Sequence, residues 1–207
     1  MKPVIFIQLM ILFFLSDCKG PQILRFSRTD QVIALQPLDT FPENVAQQLS
    51  TRLSDFFNKR VVVLHAMHIP LKPSGKIVGE YSADSIINML SAEKNDTIIE
   101  VVGLADFDLY TIRTIQRGSY YDEGIFGLGY EPGNACVISD FKLKNKNEEI
   151  YLRSIENAVL HEIGHNMGLP HCTNKKCVMS LSFASVYGLQ HYIGDYCNKC
   201  RNKLNKK

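Results

Sequence analysis

With 207 residues, 45% of them hydrophobic and 21% charged, the chain has ordinary globular composition and enough apolar side chain for one sizeable core. A formal net charge of +2 provides no field strong enough to argue for a nucleic-acid partner, and the basic end from Lys199 to Lys207 reads as a solvated tail. One domain is the expectation.

The first twenty residues differ from the rest. Lys2 precedes an almost wholly apolar run from Val4 to Leu15, too short to span a bilayer comfortably but suited to the core of an export signal. Next comes Leu15-Ser16-Asp17-Cys18, which resembles a bacterial lipoprotein processing site. Residues 1–18 are therefore expected to be a signal peptide, and 19–207 an extracytoplasmic domain attached to a membrane through a lipidated Cys18. Asp17 departs from the small uncharged residue usual at that place, so simple secretion is the alternative.

Downstream, Val32 to Leu35 reads as a short strand. Pro42-Glu43 opens a helix with Val45, Leu49, Leu53 and Phe56 at three- and four-residue spacing, a face fit to pack on a sheet. Val61 to Leu64 is a strand, Lys72 to Gly75 a loop, and Ser82 the cap of a second helix carrying Ile86, Ile87, Met89 and Leu90. Strands are expected from Thr97 to Leu104, along the Gly-punctuated segment Gly124 to Tyr130, and from Cys136 to Ser139. A long helix begins near Asn147, with Glu148 and Glu149 at the positive end of its dipole. Leu152, Ile155, Val159, Ile163 and Met167 form its apolar stripe. The pattern predicts an α+β fold, α/β-like in its N-terminal part, with a mixed sheet.

That last helix carries His161-Glu162-Ile163-Gly164-His165, with Gly168 and His171 following. Residues four apart lie one turn above each other, so His161 and His165 can aim at one ion from a rigid frame. Gly168 tolerates the left-handed conformation that ends helices, which lets His171 swing back as a third ligand. Three neutral imidazoles leave a fourth zinc position for water, whose pKa falls from about 15.7 toward roughly 7 on the metal. Glu162 is placed beside that water as general base, and then returns its proton to the leaving amine. With this composition the full pattern should arise by chance on the order of 10⁻⁵ times per chain, so coincidence is a poor explanation.

Six cysteines in an exported chain would permit three disulfides. Cys136 stands alone in a strand-like stretch, however, while Cys172, Cys177, Cys197 and Cys200 form C-x4-C and C-x2-C pairs, as a tetrahedral metal requires. Disulfides stay the alternative.

Met179, eight residues after His171, is where a family likeness appears. The extended zinc motif followed by such a methionine marks the metzincins. From His161 the run reads H-E-x-x-H-x-x-G-x-x-H-C-x4-C-x-M-x17-C-x-x-C, and this resembles the archaemetzincin pattern at every spacing through Cys200. The resemblance implies a metzincin-type catalytic domain with a small zinc-bound C-terminal subdomain. It also implies two Zn2+ per chain, one catalytic on His161, His165 and His171, and one structural on Cys172, Cys177, Cys197 and Cys200. Structural zinc would then pin the loop that delivers His171. Weaker likeness upstream makes Val102 to Tyr110 resemble the family's strand and turn, and Cys136 to Asp140 its edge strand, which would pair with an extended peptide substrate; an inner or covered strand is the alternative for Cys136 to Asp140. Leu181 stands where phenylalanine is usual after the methionine turn.

Tyr187 could stabilise an oxyanion, and Glu131, Asp140 or Asp195 could hold a substrate's amino terminus if the enzyme is an aminopeptidase; no spacing selects among them. The reading is a zinc metallopeptidase acting as a monomer on peptides or small proteins, without nucleic acid. The alternatives are a non-catalytic exported binding protein stabilised by zinc and, disfavoured by the export signal and charge, a zinc-ribbon nucleic-acid module.

Overall fold

The computed structural model describes residues 31–74, 79–92, 94–114 and 120–204. The expected signal peptide, Cys18 and the end of the Lys72 to Gly75 loop lie outside the described residues. A five-stranded sheet organises the chain. Its order is β2 (Val61–Val63), β1 (Val32–Pro37), β4 (Ile98–Ala105), β8 (Ala135–Ser139) and β7 (Gly127–Gly129). The first four are mutually parallel and β7 runs antiparallel to β8, giving the mixed sheet expected.

Both faces of this sheet are covered, which is why its strands read as continuous apolar runs rather than alternating ones. Val102, Leu104, Cys136 and Ile138 face α1 (Glu43–Phe57) and α3 (Glu148–Asn166). Val101, Ala105, Ala135 and Val137 face α2 (Ala83–Ala92) on the other side. Along α1, Val45, Leu49 and Leu53 are buried as their spacing predicts. Ser82 Oγ accepts from the Ser85 amide at the start of α2, and Asn147 Oδ1 accepts from the Ile150 amide at the start of α3, so both expected caps form. Of the α3 stripe, Leu152, Ile155, Val159 and Ile163 are buried, whereas Met167 sits at the C-cap and is exposed.

Two expectations are corrected. The Gly-punctuated segment is not one strand: β6 (Tyr120–Ile125) pairs with β5 (Leu109–Thr114) in a small second sheet with β3 (Tyr81–Ser82), while β7 joins the main sheet. The chain changes sheets at Phe126, whose carbonyl accepts from the Ser139 amide at 2.7 Å. In addition, Cys136 to Asp140 is not the edge strand. β8 is held between β4 and β7, every one of its residues is buried, and the edge belongs to β7. Apolar side chains on both faces mark an inner strand, whereas two glycines in three residues mark an edge lying close to another backbone.

Beyond α3 the chain forms a 3-10 turn (Leu181–Phe183), α4 (Val186–His191) and α5 (Asn198–Leu204). Among the described residues no helix is long and apolar enough to cross a membrane.

Candidate metal centre and catalytic cleft

His161 and His165 sit one turn apart on α3, with their Nε2 atoms 3.2 Å from each other. Helix α3 then ends as the sequence predicts. Gly168 adopts φ +78°, the Gly168 amide donates to the His165 carbonyl, and the Leu169 amide donates to the Gly164 carbonyl. This is the hydrogen-bonding scheme of a Schellman cap, and it turns the chain back so that His171 meets the other two rings. The ring centroids of His171 lie 5.4 Å from His161 and 4.8 Å from His165.

Hydrogen bonds fix the tautomers of the two helical histidines. His161 Nδ1 faces the Val178 carbonyl at 2.6 Å and His165 Nδ1 faces the Leu169 carbonyl at 2.9 Å. A carbonyl only accepts, so each Nδ1 carries the proton and each Nε2 keeps a lone pair aimed at its neighbour. Two neutral nitrogens 3.2 Å apart would repel unless a cation lay between them, and tetrahedral bonds of 2.0–2.1 Å require a separation of about 3.3 Å. Burial, and then the neighbouring rings, lower His161 to about 4 against the raising effect of the Val178 carbonyl. His165 is lowered likewise, chiefly by burial. Both are therefore neutral at ordinary pH. The donor set fits zinc.

The four cysteines cluster a short distance along the chain. Cys172 and Cys197 sulfurs are 3.8 Å apart, Cys177 and Cys200 sulfurs 3.7 Å, and all four lie within 4.8 Å of one another. No disulfide joins them, and four sulfurs about 2.3 Å from one tetrahedral ion would stand about 3.8 Å apart. Burial and bonding to Cys177 hold the Cys200 thiol well above the ordinary range, and burial raises Cys177. For Cys197 burial is outweighed by hydrogen bonds from the Cys200 backbone and the other sulfurs, which bring it to about 7. The cluster could hold a second, closed zinc site.

The two clusters are wired together through backbone. Cys177 precedes Val178, whose carbonyl holds His161, and the Cys172 amide donates to the Met179 carbonyl at 2.8 Å. Met179 is fully buried under α3 at Gly164, and Tyr196 beside it donates its hydroxyl to the Leu160 carbonyl at 2.6 Å.

A cleft of about 440 Å³ opens over the histidines, bounded on one side by β7 and on the other by Leu181, Phe183 and Leu189. Glu162 lines it between His161 and the glycines of β7. A side chain on Gly127 would come within 3.0 Å of Glu162 Cγ, and one on Gly129 within 2.6 Å of the Glu162 carbonyl. Glycine at both positions lets the edge strand lie directly against the helix turn that carries Glu162.

The structure separates the remaining candidates. Glu131 lines the cleft, its carboxylate 3.8 Å from His165 Nδ1. Asp140 is buried under the Tyr151 hydroxyl just after β8 and is not among the residues lining the cleft. Asp195 pairs with Arg201 beside the cysteine cluster. Tyr187 is exposed and stacked on His191 at 4.1 Å, and is not among the residues lining the cleft, which removes the reason for giving it an oxyanion role. Sequence reasoning missed Asn157 and Tyr196, and it missed the Val178 and Leu169 carbonyls because backbone groups leave no residue signature. Asn157, a polar residue one turn before His161, was the readable clue.

The model of Peptidase family M54 matches residues 32–206. An archaemetzincin of Haloquadratum walsbyi is 30% identical over 84% of this chain and 99% of its own length. Among solved structures, the archaemetzincin of Archaeoglobus fulgidus, complexed with malonate, is 29% identical. It superposes with a TM-score of 0.69 over 84% of this chain and 99% of that one. The archaemetzincin of Methanopyrus kandleri superposes at 0.70 with 24% identity over 87% and 97%, a likeness of fold.

Proposed function

Because the chain belongs to peptidase family M54, the archaemetzincins, and is with them a zinc metallopeptidase, we propose that His161, His165 and His171 hold its catalytic zinc and that Glu162 moves the proton in peptide-bond hydrolysis. Membership sets aside the non-catalytic binding module. The observation that carries the proposal is the fixed tautomer of His161 and His165, which points two lone pairs at one place beside Glu162. When bound there, zinc supplies Lewis acidity toward the scissile carbonyl and acidifies water.

The residues do the rest. Glu162, one position along α3 from His161, accepts the proton of the attacking water and delivers it to the leaving amine. Edge strand β7 offers unpaired backbone groups along the cleft, so an extended peptide adds to it as a further strand, a role the sequence had pointed to at Cys136 to Asp140. Glu131 is the acid best placed to meet a substrate's amino terminus. Cys172, Cys177, Cys197 and Cys200 hold a structural zinc with no open position. The chain works as a monomer outside the cytoplasm, tethered through Cys18, which a Cys18→Ala variant would release from membranes.

The test combines metal analysis of the purified full chain with peptide-library cleavage by wild type and Glu162→Gln. Two zincs per chain, with cleavage reduced at least a thousandfold in the variant, support the reading. Undiminished cleavage by Glu162→Gln removes the proposed base.

A further inference from the structure

Three cavities lie in sequence across the C-terminal face and share their walls. His171 lines both the catalytic cleft and a smaller cavity of about 100 Å³, whose other walls include Lys199 and Lys203. Thr173 and Lys199 line that cavity and also a larger one of about 530 Å³, which adds Lys176. The result is a trough running from the candidate catalytic metal across the cysteine lobe, on the side of His171 that does not include Leu181, Phe183 or Leu189.

Its charge is one-sided. Residues 172–207 contain seven Lys or Arg and a single acid, Asp195, whereas the whole chain carries only +2. Asp195 lines the larger cavity but is already paired with Arg201, no carboxylate lines the smaller one, and among the described residues neither Lys199 nor Lys203 forms an ion pair. Lys199 and Lys203 are four residues apart on α5, so their ammonium groups project from one side of a helix that is anchored through Cys200 in the cysteine cluster. Two cations without a carboxylate partner, on a rigid platform in the cavity that His171 also lines, form a recognition element for negative charge.

We propose that Lys199 and Lys203 are specificity-determining residues, selecting peptide substrates that carry Asp or Glu side chains in the stretch lying beyond His171. The proposal rests on the reading of the cleft as a peptidase site. The sequence alone suggested only a solvated tail; the fold brings the tail's first two lysines to the cavity that shares His171 with the cleft.

The test uses the zinc-loaded full chain and matched fluorescent peptides that differ by Glu against Gln. Cleavage is read as kcat and KM, and binding to Glu162→Gln is read by anisotropy. Wild type should favour the acidic peptides roughly tenfold, the difference lying in KM, and the preference should vanish in about 1 M salt, where the screening length is about 3 Å. Lys199→Gln/Lys203→Gln should abolish the preference and Lys199→Glu/Lys203→Glu reverse it toward basic peptides, with kcat on the neutral peptide unchanged in both. Cleavage without acidic preference, or a preference that survives both double variants, overturns the proposal. Acidic preference in binding without any cleavage upholds the lysine pair and counts instead against the hydrolytic reading.

Discussion

Met179 occupies the space where a side chain on Gly164 would begin: a Cβ there would lie 2.2 Å from the methionine sulfur and 3.0 Å from its methyl carbon. Gly164 separates the two helical histidines in sequence, so the methionine packs directly beneath the metal-facing turn of α3. Gly164→Ala gains about 1 kcal/mol of helix propensity but forces overpacking that costs about 1–3 kcal/mol in a core with no room to give. The expected outcome is a melting temperature lowered by a few degrees and kcat/KM reduced at least tenfold, because His165 follows directly. Thermal unfolding and peptide cleavage check it; unchanged cleavage would mean that the methionine contact does not position the histidines.

The cysteine cluster should control the catalytic metal from a distance. Cys177 precedes the Val178 carbonyl that fixes His161, and Cys172 follows His171 while its amide holds the Met179 carbonyl. Loss of a partner that orients a metal-binding histidine typically costs 10–100-fold in metal affinity. With the two zinc centres proposed above, Cys197→Ser, twenty-six residues from His171, should therefore release the cysteine-bound ion outright and weaken the histidine-bound one by about that factor, as read by competition with a chelator. Retention of the second zinc at wild-type affinity would show the two sites to be independent.

How far these relationships were legible follows from what kind of group carries them. His161, Glu162, His165, His171, Met179 and the four cysteines were readable because each is a side chain whose chemistry needs a particular spacing. Gly168 was readable because only its backbone freedom explains a left-handed helix end. Strand β8 was found but assigned to the wrong position, since a run of buried residues announces a strand without naming its neighbours. The true edge, β7, is only three residues long and has too little side chain to show alternation. The β5–β6 hairpin went unseen for a related reason: it builds a separate small sheet, and the sequence offered no signal that the chain would leave one sheet for another at Phe126.

Glu100 should make stability depend on pH in the direction opposite to most carboxylates. It is buried on β4 and accepts a hydrogen bond from Asn166 at the end of α3. Burial raises its pKa from 4.5 to about 7, outweighing the lowering effects of Asn166, Cys136 and Lys94. The folded protein thus binds this proton more tightly than the unfolded chain, and the contribution, full below pH 4.5, is lost as pH rises through about 7. At about 1.4 kcal/mol per pKa unit the loss approaches about 3 kcal/mol by about pH 8. Glu100→Gln keeps an acceptor for Asn166 and removes the titration. Its melting temperature should match wild type near pH 4.5 and exceed it at about pH 8; parallel pH profiles would show that Glu100 stays ionised in the fold.

Asn157 should govern substrate binding without touching the metal. Fully buried on α3, it donates through Nδ2 to the Leu189 and Tyr192 carbonyls, each at 2.8 Å, and accepts at Oδ1 from the Gly194 amide at 2.9 Å. Those three bonds fasten the segment that ends the cleft wall, and Leu189 itself lines the cleft. Asn157→Ala leaves three backbone groups to find other partners, at a cost of about 1–3 kcal/mol for each that stays buried and unpaired. The wall then loosens while His161, His165 and Glu162 keep their places on the helix. Zinc content should stay at the wild-type value, KM should rise about tenfold, and kcat should fall much less, the reverse of the pattern expected for Glu162→Gln. Equal losses in kcat and kcat/KM would instead assign Asn157 to transition-state geometry, through the helix turn it shares with His161.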